Sequence, residues 1–151
     1  MTTEETPLAP ALKRTDRSLP IALLRARETL MIPVREMLLQ SRITEQKYRV
    51  LRVVEESGPI EQTRIAQKAC LHQPSLTRIM HALDRDGFLV RTTNEHDKRQ
   101  TIAVITDAGR QLILEHTALS EDLFLRLENQ FGTEKMDTLL DLLDELQQVQ
   151  L

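Results

Sequence analysis

Aromatic side chains are scarce in this 151-residue chain, which has no Trp, one Tyr and three Phe. Its core must come from Leu, Ile, Val, Ala and Met, a palette that favours helices. A single Cys excludes an internal disulfide and points to a reducing, cytoplasmic setting. No apolar run approaches the roughly 20 residues that span a bilayer. The start, Met1-Thr2-Thr3-Glu4-Glu5, lacks the basic and apolar stretches of a signal peptide. No membrane association is expected. There is no Gly-rich phosphate loop, nucleophile elbow or paired acid–base motif, so neither an enzyme nor a cofactor is expected. Cys70-x-His72, with His81 further on, is not a zinc spacing, and no metal is expected. Cys70 reads instead as a small buried hydrophobe. His96 and His116 are lone residues, structural or facing solvent.

What is present is unevenly distributed. The formal net charge is −3, divided as +1 over residues 1–41, +3 over 42–99 and −7 over 100–151. Such asymmetry suits a chain that turns one basic face to phosphate, although acidic solvated helices are also common. The length suffices for one domain or two small lobes.

Residues 1–17, polar and holding Pro7 and Pro10, read as a flexible arm. Ser18 is a plausible N-cap with Pro20 in the first turn, and Leu23, Ala26, Leu30, Val34 and Met37 follow helical spacing. Pro33 within this pattern predicts a kink or a break. Thr44 caps the next helix. Ile43 and Tyr48 flank the cap as a hydrophobic staple, and Tyr48, Leu51 and Val54 form the apolar stripe. Ser57-Gly58-Pro59 ends that helix.

Glu61 to Ala69 read as a short helix, Cys70-Leu71-His72 as a turn, and Pro74 as the opening of a further helix that closes at Asp86-Gly87. There Leu76, Ile79, Met80 and Leu83 are spaced i, i+3, i+4, i+7, a buried stripe. Two β-rich runs, 88–93 and 100–105, flank the polar loop 94–99, which signals a hairpin. Thr106 caps a long helix over roughly 106–130, Gly132-Thr133 interrupts it, and Met136 to Leu146 form a last amphipathic helix.

A short helix, a tight turn, a second helix and a charged hairpin form the layout of a winged helix-turn-helix. Opposite the apolar stripe, Pro74, Arg78, His81 and Arg85 line one side, with Ser75 and Thr77 on the first turn. Arg binds guanine bidentately, Ser and Thr reach base edges or phosphates, and the helix N-terminus offers free N–H groups. The plain alternative is a solvated helix face; the flanking short helix and hairpin favour DNA contact. At the hairpin tip, Arg99 suits a minor groove or a phosphate, with Lys98 beside it and Asp97 orienting it through a salt bridge. Arg25 and Arg27 lie in an otherwise apolar stretch and point about 160° apart on a helix. An ion pair, for example with Glu28 or a partner subunit, is the simpler reading; a carboxylate site between lobes is the sharper one.

Five segments resemble the multiple-antibiotic-resistance regulator (MarR) family: Ile43-Thr44-Glu45-Gln46-Lys47-Tyr48-Arg49-Val50-Leu51, Pro74-Ser75-Leu76-Thr77-Arg78-Ile79, Leu83-Asp84-Arg85-Asp86-Gly87-Phe88-Leu89, Asp97-Lys98-Arg99 and Ile105-Thr106-Asp107-Ala108-Gly109. The resemblance covers roughly residues 19–148. Within the family, Ala22–Glu28 and Lys68–Thr77 resemble the branch that represses homoprotocatechuate (4-hydroxyphenylacetate) degradation. The resemblance implies a homodimer with interlocking terminal helices. It also implies a small aromatic carboxylate, bound between lobes, that weakens binding to double-stranded operator DNA. Arg25 or Arg27 then becomes a better candidate for that carboxylate. Thiol-sensing relatives carry a Cys near the N-terminal helices; Cys70 lies in the helix-turn-helix instead.

The expectation is thus a mainly α chain. Residues 1–17 form a flexible arm, 18–42 and 107–151 a helical dimerisation region, and 43–106 a winged helix-turn-helix lobe with a small β-hairpin wing. Its function is transcriptional repression at an aromatic catabolic operon. The alternative is a winged-helix module that binds protein, docking a basic partner on the acidic C-terminal helices.

Overall fold

The structure, a computed structural model, describes residues 14–41 and 43–151. Most of the expected arm lies outside the described residues; Thr15–Arg17 form one 3-10 turn. Six helices and three short strands follow: α1 Leu19–Leu39, α2 Glu45–Ser57, β1 Ile60–Glu61, α3 Gln62–Ala69, α4 Gln73–Arg85, β2 Leu89–Thr93, β3 Thr101–Ile105, α5 Asp107–Phe131 and α6 Thr133–Gln147. The mainly helical class with a hairpin wing holds.

Helix α1 departs from its sequence pattern, for it runs unbroken past Pro33. A proline inside a helix costs about 3 kcal/mol. Beyond it, Leu38 is buried and Val34 and Met37 pack against the core. Fully burying a side chain such as Leu38 contributes about 1.5–3 kcal/mol, and the partial burial of Val34 and Met37 adds to it, which together offsets the cost of the proline.

Two caps form as the residues dictate. The Thr44 hydroxyl accepts from the Lys47 N–H at 3.3 Å, and Thr106 accepts from the Gly109 N–H at 3.1 Å. Helix α3 ends on Cys70, which takes φ 52, a left-handed conformation uncommon outside glycine. At this helix end Cys70 is exposed and not the buried hydrophobe expected of it.

The sheet order is β1-β3-β2, antiparallel throughout, with Leu89 opposite Ile105 and Thr93 opposite Thr101. The third strand was not expected: Ile60 and Glu61 pair with Ala103 and Ile102. Two residues are too few to show a period-2 pattern.

The core gathers Val50, Leu51 and Val54 of α2, Ile65 and Ala69 of α3, and the full Leu76/Ile79/Met80/Leu83 stripe of α4. Leu89, Ala103 and Ile105 of the sheet close it from below. Helix α5 is pinned where it starts. Thr106 Oγ1 donates to the Gly87 carbonyl at 2.6 Å, and the Thr106 N–H donates to the Phe88 carbonyl at 3.2 Å. A Cβ on Gly109 would sit 2.2 Å from that same Phe88 oxygen, so only glycine lets α5 approach. The turn after α4 and the start of α5 are therefore joined by two hydrogen bonds and a close backbone contact. Helices α1, α5 and α6 keep much apolar surface in the open, including Leu24, Ile32, Leu114, Leu125 and Leu140.

Candidate nucleic-acid interface

With its apolar stripe buried, α4 turns Arg78, His81 and Arg85 to solvent. Arg78 makes no ion pair among the described residues, while Arg85 Nε lies 3.4 Å from Asp86 Oδ1. Ser75 and Thr77 are half-buried. The Thr77 hydroxyl is occupied: it accepts from Gln62 Nε2 at 2.8 Å and donates to the Gln73 carbonyl at 3.0 Å. Thr77 thus ties α3 to α4, and Gln62 is a supporting residue that spacing could not reveal. Asp84 and Arg91 tie α4 to the wing, with Arg91 Nε donating to Asp84 Oδ2 at 2.7 Å.

The wing tip is held in shape by its own hydrogen bonds. The Asn94 N–H donates to the Gln100 carbonyl, and the Gln100 N–H to the Asp97 carbonyl, both at 2.9 Å. Asp97 Oδ1 accepts from the Arg99 N–H at 3.1 Å and from Arg99 Nε at 3.2 Å. The Arg99 guanidinium, then its backbone N–H, hold the Asp97 carboxyl below the usual carboxylate range. Arg99 itself is 92% exposed, a charge presented at the tip, and Lys98 is exposed beside it.

Behind this face, α1, α2 and α5 border an open cavity of about 300 Å³. Met31 and Val34 of α1, Tyr48, Arg49 and Arg52 of α2, and Phe124 of α5 line it. Arg49 Nε lies 3.1 Å from Glu45 Oε1, and Arg52 Nη2 donates to Glu56 Oε1 at 2.8 Å. At one end the Tyr48 ring stands 5.5 Å from the ring of His116. His116 is only 3% exposed, and burial pushes its imidazole pKa down, with Glu115 opposing weakly. The slot combines apolar walls with two guanidinium groups and the Glu45 carboxylate, each guanidinium being paired with a glutamate.

The MarR family model matches residues 43–101, from the cap of α2 to the start of β3. The chain is 35% identical over 133 residues to the HTH-type transcriptional regulator FarR of Neisseria gonorrhoeae, covering 88% of this chain and 91% of that one. It is 36% identical over 128 residues to the homoprotocatechuate degradative operon repressor of Escherichia coli, covering 85% and 86%. The chain belongs to the MarR family of transcriptional regulators. Among solved structures, NadR in complex with 4-hydroxyphenylacetate superposes with a TM-score of 0.81 at 34% identity, over 92% of this chain and 99% of that one. The transcriptional repressor CouR bound to a 23-mer DNA duplex gives 0.77 at 26% identity, over 88% and 94%.

In this MarR regulator Arg25 and Arg27 both lie exposed on α1. Arg27 borders a separate cavity of about 500 Å³ with Arg35, Ile43 and Thr44. Arg25 borders neither that cavity nor the one at Tyr48. The simple ion pair with Glu28 goes elsewhere: Arg35 Nη2 donates to Glu28 Oε2 at 3.1 Å, and Arg35 holds the Glu28 carboxyl below its usual range. Arg35 stands seven residues on, two turns along the same face, and Arg27 adds only a weaker attraction to the same carboxyl. Spacing marks Tyr48 as apolar and gives no sign of the cavity that Arg49, Arg52 and Phe124 line, while His116 is the buried structural histidine of the two alternatives its isolation allows. Among the described residues no three His, Cys, Asp or Glu side chains converge on a metal-sized site. No described helix is long and apolar enough to cross a membrane.

Proposed function

We propose that this MarR regulator is a homodimeric repressor, acting in the cytoplasm, that grips an operator duplex through α4 and the wing. It lets go when a small aromatic carboxylate enters the cavity between α1, α2 and α5. The observation that carries the reading is the position of α2 between the two sites. One face of α2 lines the cavity with Tyr48, Arg49 and Arg52, and the other buries Val50, Leu51 and Val54 in the core beneath α4. A ligand there sits one helix away from the reading head. The E. coli repressor of homoprotocatechuate degradation and the NadR complex with 4-hydroxyphenylacetate support the ligand class. The CouR complex with a duplex supports the DNA role.

The residues divide by task. Arg78, His81 and Arg85 face the major groove, Ser75 lies at the helix start, and Thr77 braces α3 against α4. Arg99, oriented by Asp97, and Lys98 meet the minor groove or the backbone. Arg49 and Arg52 take the effector carboxylate, a role moved here from Arg25 and Arg27. The exposed apolar residues of α1, α5 and α6 supply the dimer contact, since a lone chain leaves them in water. Dimerisation would place two α4 helices about 34 Å apart, on successive turns of a pseudo-palindrome. An effector that binds better when that spacing is wrong weakens DNA binding by its own differential affinity, typically 5–150-fold.

Titrating 4-hydroxyphenylacetate into the protein–operator complex, followed by fluorescence anisotropy, tests this. Release of the duplex is expected, and a loss of that response in Arg52→Ala with DNA affinity retained. Retention of the duplex with this acid and with other aromatic acids sinks effector control by this class.

A further inference from the structure

Arg91 stands on β2, and its guanidinium meets α4 at two points. Nε donates to Asp84 Oδ2 at 2.7 Å, and Nη1 lies 3.1 Å from His81 Nε2. A guanidinium has five N–H donors, no acceptor, and stays charged in proteins. The contact with His81 is a hydrogen bond only when Nε2 carries no proton. A proton there, as in the imidazolium, would set N–H against N–H. Arg91 cannot drift away to relieve the clash without leaving Asp84, which is itself only a third exposed.

We infer that Arg91, anchored by Asp84, is a positioning residue that fixes His81 as the neutral tautomer protonated at Nδ1, so that α4 presents a hydrogen-bond donor between Arg78 and Arg85 to an acceptor atom of the operator. The inference rests on the DNA-facing reading of α4 given above. In the major groove the acceptors are purine N7, guanine O6 and thymine O4, whereas the cytosine and adenine amino groups are donors. A ring locked with Nδ1–H outward donates to the first set and repels the second. An unlocked imidazole would adapt to either, because each nitrogen exchanges donor for acceptor when the proton moves. The wing strand thus contributes to sequence discrimination without touching a base. The same donor would suit a phosphate oxygen, which carries no sequence information.

Long-range ¹H–¹⁵N NMR of the ¹⁵N-labelled protein, with His81→Gln to assign the signal, reads the tautomer directly. At neutral pH the wild type is expected to show a protonated Nδ1 and a bare Nε2. Arg91→Met is expected to give a mixture of tautomers, and Arg91→Lys, which restores a donor, to return towards Nδ1–H. A proton on Nε2 in the wild type, or a folded Arg91→Met with an unchanged ring, overturns the inference. This measurement needs no DNA, so its failure is separate from any failure of the DNA-facing reading. In binding assays with single base-pair swaps, Arg91→Met should lose the same preference as His81→Ala, on the order of tenfold at one position. Equal weakening on all duplexes in both variants supports the donor and places its acceptor on phosphate. Unchanged binding in both removes His81 from the interface and overturns the proposal.

Discussion

Tyr48 on α2 and His116 on α5 stand ring to ring, centroids 5.5 Å apart and planes tilted by 31°, with the polar atoms of both buried and without hydrogen-bond partners among the described residues. The pair joins a helix of the DNA-binding core to a helix whose outer face is apolar. Tyr48 also lines the proposed effector cavity.

The orphaned imidazole makes a stability prediction. Leaving a buried polar group unsatisfied costs about 1–3 kcal/mol, so His116→Leu should stabilise the chain by about 1 kcal/mol at neutral pH. The pH dependence follows from the sign of the shift. His116 titrates below 6.5 in the folded chain, so the unfolded chain takes up the proton first as pH falls. Wild-type stability is therefore lost progressively below about pH 6.5, until the lowered folded value is passed. Urea unfolding at pH 7.5 and 5.5 measures both effects. His116→Leu should lose less stability than the wild type between the two; equal losses would show that His116 is not the responsible group.

Gly109→Ala tests how α5 is attached. Its Cβ would meet the Phe88 carbonyl oxygen at 2.2 Å and Ile105 Cγ1 at 2.7 Å, and a backbone carbonyl cannot swing aside. Overpacking of this kind costs about 1–3 kcal/mol, read as a fall in Tm. An unchanged Tm contradicts the tight joint between α5 and the turn after α4.

Arg78→Ala should weaken the preferred duplex by about 1–3 kcal/mol and relax preference at one base position. Competition with single-position variants of that duplex measures it. If preferred and unrelated duplexes weaken equally, Arg78 is a phosphate contact and the reading role passes to its neighbours.

Much of this layout is visible in the residues themselves. Leu76, Ile79, Met80 and Leu83 show their stripe because a lone helix on a core needs i, i+3, i+4, i+7 spacing, and all four are buried. Thr44 and Thr106 show their helix starts because a hydroxyl before an amphipathic run has a defined N–H to accept from. What stayed hidden depends on distant partners. Glu61 joins a sheet only because β3 passes beside it. Tyr48 counts as apolar by spacing, and only the approach of α5 reveals a phenol beside a buried imidazole. Arg25 and Arg27 attract notice because they interrupt an apolar run, and both lie exposed on α1, Arg27 at the cavity it shares with Arg35; Arg49 and Arg52, in a run of ordinary helix charges, line the cavity at Tyr48.

Arg99→Ala should reduce the slope of log affinity against log salt by about one, since one phosphate-directed charge is removed. Asp97→Asn leaves that charge in place but frees it, so affinity should fall with the slope retained. Anisotropy titrations across a salt series decide; an unchanged slope in Arg99→Ala removes the wing from the interface.

The most direct test of the whole account is selection of duplexes from a randomised pool by the purified protein at physiological salt. The account predicts enrichment of a pseudo-palindrome whose half-sites are centred about 10 base pairs apart, one helical turn, bound by a dimer. A pool that returns no enriched sequence, from a protein that stays monomeric, contradicts it.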